Sequence, residues 1–397
     1  MEQLRLKSND LASKVSTDFV RSQSADIHWQ ERLVGIIGPV GVGKTTLLLQ
    51  QLKLLYGHSP SALYVTMDDL YLANLSLRDF AAQFASKGGK HLFIDNVHKL
   101  PSWSFELKKI FETLPNIKVA FAGSSTIEMV KHYTHLSQRA TIHNIGIMSF
   151  REFLALKGAA MLPTYSLQTL LSHHIDIAAE HVQQFAPSQY LDEYLTQGCY
   201  PFIPSDYEEY KRFLEDLLVE VIEQDMVYID GFDAKNVFKI KQLVSIIAQN
   251  APFKPNLVKI SNHIGIHRNT LISYIFHLEK AKLITLLYPA GSNVSILQKP
   301  ESVILSNTNL THLLSGGTPT RELLVNTFAL SHLGAMHPIK NFAKNYFEVD
   351  GSILVAPLTL GKKLRKAKSE LPTYTFADGF DVGTRKYIPL WLLGLLH

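Results

Sequence analysis

Through the first 150 residues, short apolar runs alternate with stretches that repeat at helical spacing. Leu33-Val34-Gly35-Ile36-Ile37 reads as a buried strand that runs into a glycine-rich turn, and TTLLLQQLKLL from Thr45 to Leu55 reads as a helix. The order then repeats, with strands at Ala62–Thr66, His91–Ile94 and Ile117–Phe121 and helices around Ser76–Phe84 and Ser104–Thr113. A last strand, Thr141–Ile147, would close this region near Ser149. Strands separated by helices of about 10–15 residues predict a parallel sheet covered on both faces. Residues 1–30 are polar and mixed, and read as a helical arm with little core of its own.

After Phe150 the pattern is largely helical. Phe150–Leu156, Leu167–Phe185 and Tyr207–Val227 read at helical spacing, with Pro187, Pro201 and Pro204 as breaks. Val237–Leu297 has the layout of a winged helix-turn-helix. Its helices fall at Phe238–Ala248, Leu257–His263 and His267–Ala281, Gly265 makes the tight turn, and Leu283–Tyr288 with Val294–Leu297 forms the wing. Past Lys299 come a helix near Arg321–Leu333 and strands at Tyr346–Val349 and Ser352–Ala356. The expected division is a 1–30 arm, a 31–149 nucleotide domain, a 150–236 helical region, a 237–299 winged-helix domain and a small 300–397 α/β domain.

Composition narrows the class. With 397 residues at about 100–200 per domain, two to three domains are expected. A hydrophobic share of 46% against a charged share of 19% excludes disorder as the main state. A net charge of +4 permits a nucleic-acid surface without demanding one. Cys199 is the only cysteine, which excludes an intrachain disulfide and a cysteine-rich zinc site. The opening MEQLRLKSNDLASK lacks a signal-peptide core, and no apolar run approaches the roughly 20 residues of a membrane helix, so a soluble cytoplasmic protein is expected.

The strongest chemical signal is Gly38-Pro39-Val40-Gly41-Val42-Gly43-Lys44-Thr45, a G-x-x-x-x-G-K-[ST] pattern placed between a strand and a helix. Glycines let backbone N–H groups turn inward onto phosphate oxygens, and the start of the following helix adds its field. The cradle for ATP is therefore expected over Gly38 to Thr46, with Lys44 reaching the β- and γ-phosphates and the Thr45 hydroxyl ligating Mg²⁺. Asp95, ending the apolar run His91–Asp95, would hold the same ion through water. In many such ATPases a glutamate follows and activates the attacking water. Asn96 stands there instead, and an amide can position water but cannot take its proton. Asp68-Asp69, just past Ala62–Thr66, is the alternative acidic pair, and a helix-capping turn is its bland reading. Ser124, at the end of Ile117–Phe121, is a candidate contact to the γ-phosphate or to water. Arg139 is a candidate finger for a neighbouring copy's nucleotide, which implies a homo-oligomer.

GPVGVGKTTLLLQ, HLFIDNVHKLPSW, AFAGSS and MSFREFL resemble the bacterial and archaeal predicted ATPases of the AAA superfamily, of the kind with an appended winged-helix and C-terminal domain. QGCYPF, SYIFHLEKAKLI and the ending IPLWLLGLLH extend the resemblance over nearly the whole chain. The resemblance implies an ATP-binding domain, a helical and winged-helix middle and a restriction-endonuclease-like C-terminal fold. Two departures stand out. The family's Asp-Glu pair appears as Asp95-Asn96. The C-terminal region also lacks nuclease carboxylates: Glu348 and Asp350 sit on or just after one strand, and no carboxylate follows on Ser352–Thr359 before Lys362.

Weaker signals concern partners. His267-Arg268-Asn269-Thr270 opens the third helix of the winged segment, the place from which such helices read DNA bases, whereas Leu271, Ile272, Ile275 and Leu278 read as core. Lys362-Lys363-Leu364-Arg365-Lys366-Ala367-Lys368 is the densest charge run, and its alternatives are a phosphate-holding patch and a solvated helix face. His173, His174 and His181 lack a matching ligand set, so no metal beyond Mg²⁺ is expected. The leading expectation is a slow Mg·ATP-dependent ATPase that couples nucleotide state to domain arrangement. The rival is a nucleotide-gated DNA- or protein-binding regulator with little turnover.

Overall fold

A computed structural model describes residues 1–73, 75–124, 136, 138–228, 232–290, 300–343, 346–359 and 369–397. Ser125, the second wing strand at Val294–Leu297 and the basic run from Lys362 to Lys368 lie outside the described residues. The chain divides into two compact units, one of residues 1–147 with 216–237 and the other of 148–215 with 238–397.

The first unit is built on a parallel five-stranded sheet. Its strands are β1 (Leu33–Gly38), β2 (Ala62–Thr66), β3 (His91–Asp95), β4 (Lys118–Ser124) and β5 (Thr141–Asn144), in the order β2-β3-β4-β1-β5. Strand β4 is thus inserted between β1 and β3. Its register sets Gly38 beside Ser124 and Ile94 beside Phe121. Because all strands run the same way, the phosphate turn after β1, Asp95 at the end of β3 and Ser124 at the end of β4 emerge on one edge. Ligands of open parallel sheets bind at that edge.

Helices α2 (Lys44–Tyr56), α3 (Leu77–Ser86) and α4 (Trp103–Thr113) follow their strands as the periodicity predicts. Helix α3 starts where Ser76 accepts the Asp79 N–H and presents Leu77, Phe80, Ala81 and Phe84 to the core. Phe80 and Phe84 are fully buried with Phe121 and Trp103, and each such side chain contributes about 1.5–3 kcal/mol of burial.

The N-terminal arm departs from expectation, because it is part of this core. Helix α1 (Glu2–Lys14) buries Leu4 and Ala12, and Ser8 Oγ accepts the Tyr64 N–H from the edge strand β2 at 3.1 Å. An exposed strand edge invites association with other chains, and the arm covers this one. Buried glutamines of α2 hold the rest of the arm: Gln50 donates to the Ser16 and Phe19 carbonyls, both at 2.8 Å, and Gln51 to Ser24 Oγ at 3.0 Å.

In the second unit, α5 (Phe150–Leu156) opens with a capping box in which Ser149 and Glu152 bond each other's backbone. Helices α6 (Leu167–His181) and α7 (Pro187–Gln197) follow, and Pro187 begins a helix at its first position, where no N–H is needed. Helix α8 (Tyr207–Val219) carries the chain back into the first unit, where it passes into a π turn over Glu220–Asp225. The three expected middle helices are α9 (Val237–Asn250), α10 (Leu257–Ile264) and α11 (Arg268–Lys280). Gly265 has φ +70°, a left-handed conformation that glycine adopts without steric cost.

Strand β6 (Ile284–Pro289) lies where the first wing strand is expected. Its antiparallel partner among the described residues is β7 (Ser302–Leu305), and its far end pairs in parallel with β8 (Lys340–Ala343). The ribbon therefore continues into one sheet with β9 (Tyr346–Val349), β10 (Ser352–Thr359), β11 (Thr373–Asp378) and β12 (Ile388–Pro389), in the order β12-β11-β10-β9-β8-β6-β7. Short helix α12 (Thr308–Leu314) and long helix α13 (Arg321–Met336) lie between β7 and β8 in sequence. Among the described residues no helix is long and apolar enough to cross a membrane.

Candidate functional site

The turn from Pro39 to Gly43 winds between β1 and α2 with Gly41 at φ +82° and Gly43 at φ +92°. An L side chain at either position would be strained, and these conformations turn successive backbone N–H groups toward the mouth of the loop. Val42 is fully buried and anchors the loop from below. Lys44 begins the helix, and Thr45 and Thr46 follow in its exposed first turn.

The Lys44 ammonium folds back over its own loop, donating to the Gly38 carbonyl at 2.9 Å and the Pro39 carbonyl at 2.6 Å. Burial pulls its pKa below the ordinary lysine value, against the opposing negative charges of Asp95, Asp225 and Glu220. A cation kept in such a place and given only neutral acceptors fits an anionic ligand.

Asp95 is 1% exposed and fully engaged. Its Oδ2 accepts from Thr45 Oγ1 at 2.5 Å and from the Tyr64 phenol at 2.9 Å, and its Oδ1 accepts the Asn96 N–H at 2.9 Å. Burial and then Asp95 push the Tyr64 phenol far above its usual pKa, so it remains a donor. Thr45 and Asp95, both expected at the same metal ion, are thus within one hydrogen bond of each other. Hydroxyl, carboxylate and lysine make a hard-oxygen site beside a cation, the chemistry that suits Mg²⁺ with a phosphate chain.

Asn96 adopts a left-handed conformation at φ 53° and donates from Nδ2 to Asp68 at 2.7 Å. Asp68 also receives Lys99 Nζ at 2.6 Å and Thr66 Oγ1 at 2.8 Å. Burial works to raise its pKa, and these three bonds outweigh it and hold it down. Asp69 receives Lys7 Nζ at 2.7 Å and caps the Tyr71 N–H at 3.0 Å. The alternative acidic pair is therefore occupied by structural bonds.

Ser124 is buried at the end of β4, and its N–H donates to His98 Nδ1 at 3.2 Å. The other ring nitrogen of His98 meets Asp225 at 3.1 Å. Arg139 stands apart from this group, ion-paired with Glu112 at 2.9 Å.

Sequence reasoning missed four participants. Arg21, from the polar arm, is buried and donates to the Val42 carbonyl at 2.7 Å and to the Gly146 and Ile147 carbonyls at 3.1 and 3.2 Å. It clamps the phosphate loop from outside. Tyr64 occupies an ordinary strand position, and His98 and Asp225 lie 127 residues apart. No local pattern marks any of the four.

The segment 30–154 matches the AAA domain family, and 188–321 matches a domain of unknown function. An uncharacterized protein of Methanocaldococcus jannaschii is 27% identical over 291 residues, 69% of this chain and 60% of that protein. The chain thus matches less than two thirds of that relative's length. Among solved structures, the Walker-type ATPase of Pyrococcus abyssi aligns at 11% identity and a TM-score of 0.43, covering 75% of this chain and 95% of that one. AMPPCP-bound DnaA from Aquifex aeolicus aligns at 17% identity and a TM-score of 0.25, covering 69% and 89%. The parallel sheet, the glycine loop and the match over 30–154 agree on one conclusion: the first unit has the fold of a P-loop NTPase domain, and its segment 30–154 is similar to the AAA domain family.

Proposed function

We propose that this protein binds Mg·ATP at the loop Gly38–Thr46 and hydrolyses it slowly, using nucleotide state to alter the arrangement of its domains. The observation that carries the reading is the meeting of Thr45 Oγ1 with Asp95 Oδ2 at 2.5 Å, at the mouth of a loop whose buried lysine donates to the carbonyls of Gly38 and Pro39. The loop N–H groups and Lys44 would hold the β- and γ-phosphates, and Thr45 with Asp95 would hold Mg²⁺. The ion supplies neutralisation of charge building on the phosphate oxygens. Arg21 and Tyr64 keep the loop and Asp95 in place. Ser124, at the end of the strand between β1 and β3, would sense the terminal phosphate. In the finger role Arg139 would exchange Glu112 for a neighbouring copy's nucleotide.

Calorimetric titration with ATP and Mg²⁺ tests this. Wild type is expected to saturate below millimolar nucleotide, and Lys44→Ala to bind at least about tenfold more weakly. A wild-type chain that takes up no nucleotide at millimolar concentration overturns the reading.

One observation favours the rival, a nucleotide-gated DNA-binding regulator. His267, Arg268 and Asn269 are all exposed at the start of α11, while Leu271, Ile275 and Leu278 bury its other face. Turnover measured with and without duplex DNA separates the two. Steady hydrolysis without DNA sinks the rival, and binding of both ligands without turnover favours it.

A further inference from the structure

A site with Asn96 after Asp95 lacks the carboxylate that would take a proton from an attacking water. Asp68 and Asp69 do not replace it, since lysine, amide and backbone donors already engage both. Among the described residues, the carboxylates besides Asp95 whose charge acts on Lys44 are Glu220 and Asp225, from residues 216–237 of the first unit.

Helix α8 gives way at Val219 to a π turn over Glu220–Asp225. On an α-helix, residues five apart point about 140° away from each other. An i→i+5 turn brings them back to about the same face, and such turns recur at functional sites. The Asp225 charge acts on Glu220, and both carboxylates act on the charge of Lys44.

Their environments differ. Asp225 is 1% exposed, with Oδ1 at 3.1 Å from His98 Nε2, and His98 with the Ser124 side chain holds its carboxyl down against burial. Because His98 Nδ1 accepts the Ser124 N–H, the ring proton lies on Nε2 and is donated to Asp225. The Tyr228 ring stands edge-on to the imidazole at 6.2 Å. This chain of contacts fastens the π turn to the end of β4. Glu220 is half-buried, and among the described residues no hydrogen bond reaches it. Burial, and then Asp225, push its carboxyl above the ordinary value. Lys99 and Lys44 oppose that shift and Asp68 adds to it.

We propose that Glu220 is the general base of this site, in place of the glutamate absent at position 96, and that the His98–Asp225 pair positions it against Ser124. The inference rests on the Mg·ATP reading above. In the step, a lone pair on the water oxygen bonds the γ-phosphorus. The bond from that phosphorus to the β,γ-bridging oxygen breaks, leaving its electron pair on ADP. One water proton passes to the Glu220 carboxylate and later to solvent, and the products are ADP and inorganic phosphate.

Single-turnover hydrolysis by the full chain, with Mg·ATP affinity measured in parallel, tests the assignment. Glu220→Gln is expected to slow the step about 100-fold with affinity within about threefold, the size of a lost general base. Adding Asn96→Glu to that variant returns a carboxylate beside Asp95 and is expected to recover at least about a tenth of the wild-type rate. In the ligand-free protein, a carboxyl-carbon titration is expected to show the Glu220 signal above the ordinary range, beside that of buried Glu279. That signal is absent in Glu220→Gln and moves down in Asp225→Asn, as removal of the neighbouring charge requires. A slowing below about tenfold, or a larger loss that Asn96→Glu does not repair, overturns the assignment. So does a wild type that binds Mg·ATP but never turns it over. Failure to bind Mg·ATP at all overturns the underlying reading instead.

Discussion

Asp68 and Glu220 both feel the charge of Lys99, yet the protein treats them oppositely. Asp68 is bonded by a lysine, an amide and a hydroxyl, and its pKa is held down. Glu220 is left without a hydrogen bond among the described residues, half-buried beside another carboxylate, and its pKa is pushed up. A carboxylate that is fully bonded contributes to stability and is silent in chemistry. One that is desolvated and unbonded lowers stability and remains available to a proton. Sequence alone offers Asp68 as the alternative acid, because it follows a strand of the nucleotide sheet, and does not single out Glu220. The bonding takes Asp68 out of that role.

Removing the anchor of the reactive side should have the largest effect on stability. His98→Ala takes the donor from a buried carboxylate and is expected to cost about 2–4 kcal/mol in chemical unfolding. A cost under about 0.5 kcal/mol would mean that Asp225 is not held through His98, and the comparison would fail. Arg21→Ala should follow at about 1.5–3 kcal/mol, since it strips a charged donor from three backbone carbonyls, one in the phosphate loop. Weaker Mg·ATP binding should accompany it. Asp68→Asn is expected to cost about 1 kcal/mol and to slow single-turnover hydrolysis by less than about threefold. A slowing as large as that of Glu220→Gln would exchange the two roles. Lys7→Ala, which breaks a pair whose lysine is 53% exposed, should stay within about 0.5 kcal/mol.

Buried neutral groups extend the same logic to pH. Burial, with Lys118 adding to it, lowers the His91 pKa to about 3, and burial with His397 does the same for His332. Unfolded histidine takes its proton near 6.5, so between there and about 3 the unfolded chain binds more protons than the native one. The stabilisation is complete above pH 6.5 and is lost as pH falls toward 3. Guanidinium unfolding of wild type at pH 7 and pH 4.5, beside His91→Phe, is expected to show a smaller acid loss in the variant. Equal losses would mean that His91 titrates in the folded state like an exposed histidine.

Much of the first unit, and the opening helix of the second, was legible. The runs Ala62–Thr66 and Phe150–Leu156 begin and end where periodicity puts them, because apolar runs bounded by glycine, proline or a capping serine leave little choice. The phosphate loop was legible because backbone geometry forces its glycines into the sequence. Strands β8 and β12 were not, since strands of 4 and 2 residues carry too few alternations to stand out. The Arg21 clamp and the His98–Asp225 pair were invisible for a different reason. Each depends on a carbonyl or carboxylate brought close by the tertiary fold, and one-dimensional spacing does not record that.

The strand order also bears on how the protein is made. Strand β1 is among the first elements of the chain, yet its neighbours are late: Leu33 pairs with Val119, and Val34 with both Ala120 and Thr141. A nascent chain that has emerged only to α4 offers an apolar strand with neither edge satisfied. Pairing over such separations makes folding slow and leaves the intermediate prone to association. During synthesis, then, the loop that reads most plainly in the sequence is ordered late, and a fragment ending before Asn144 would carry the motif without the shape.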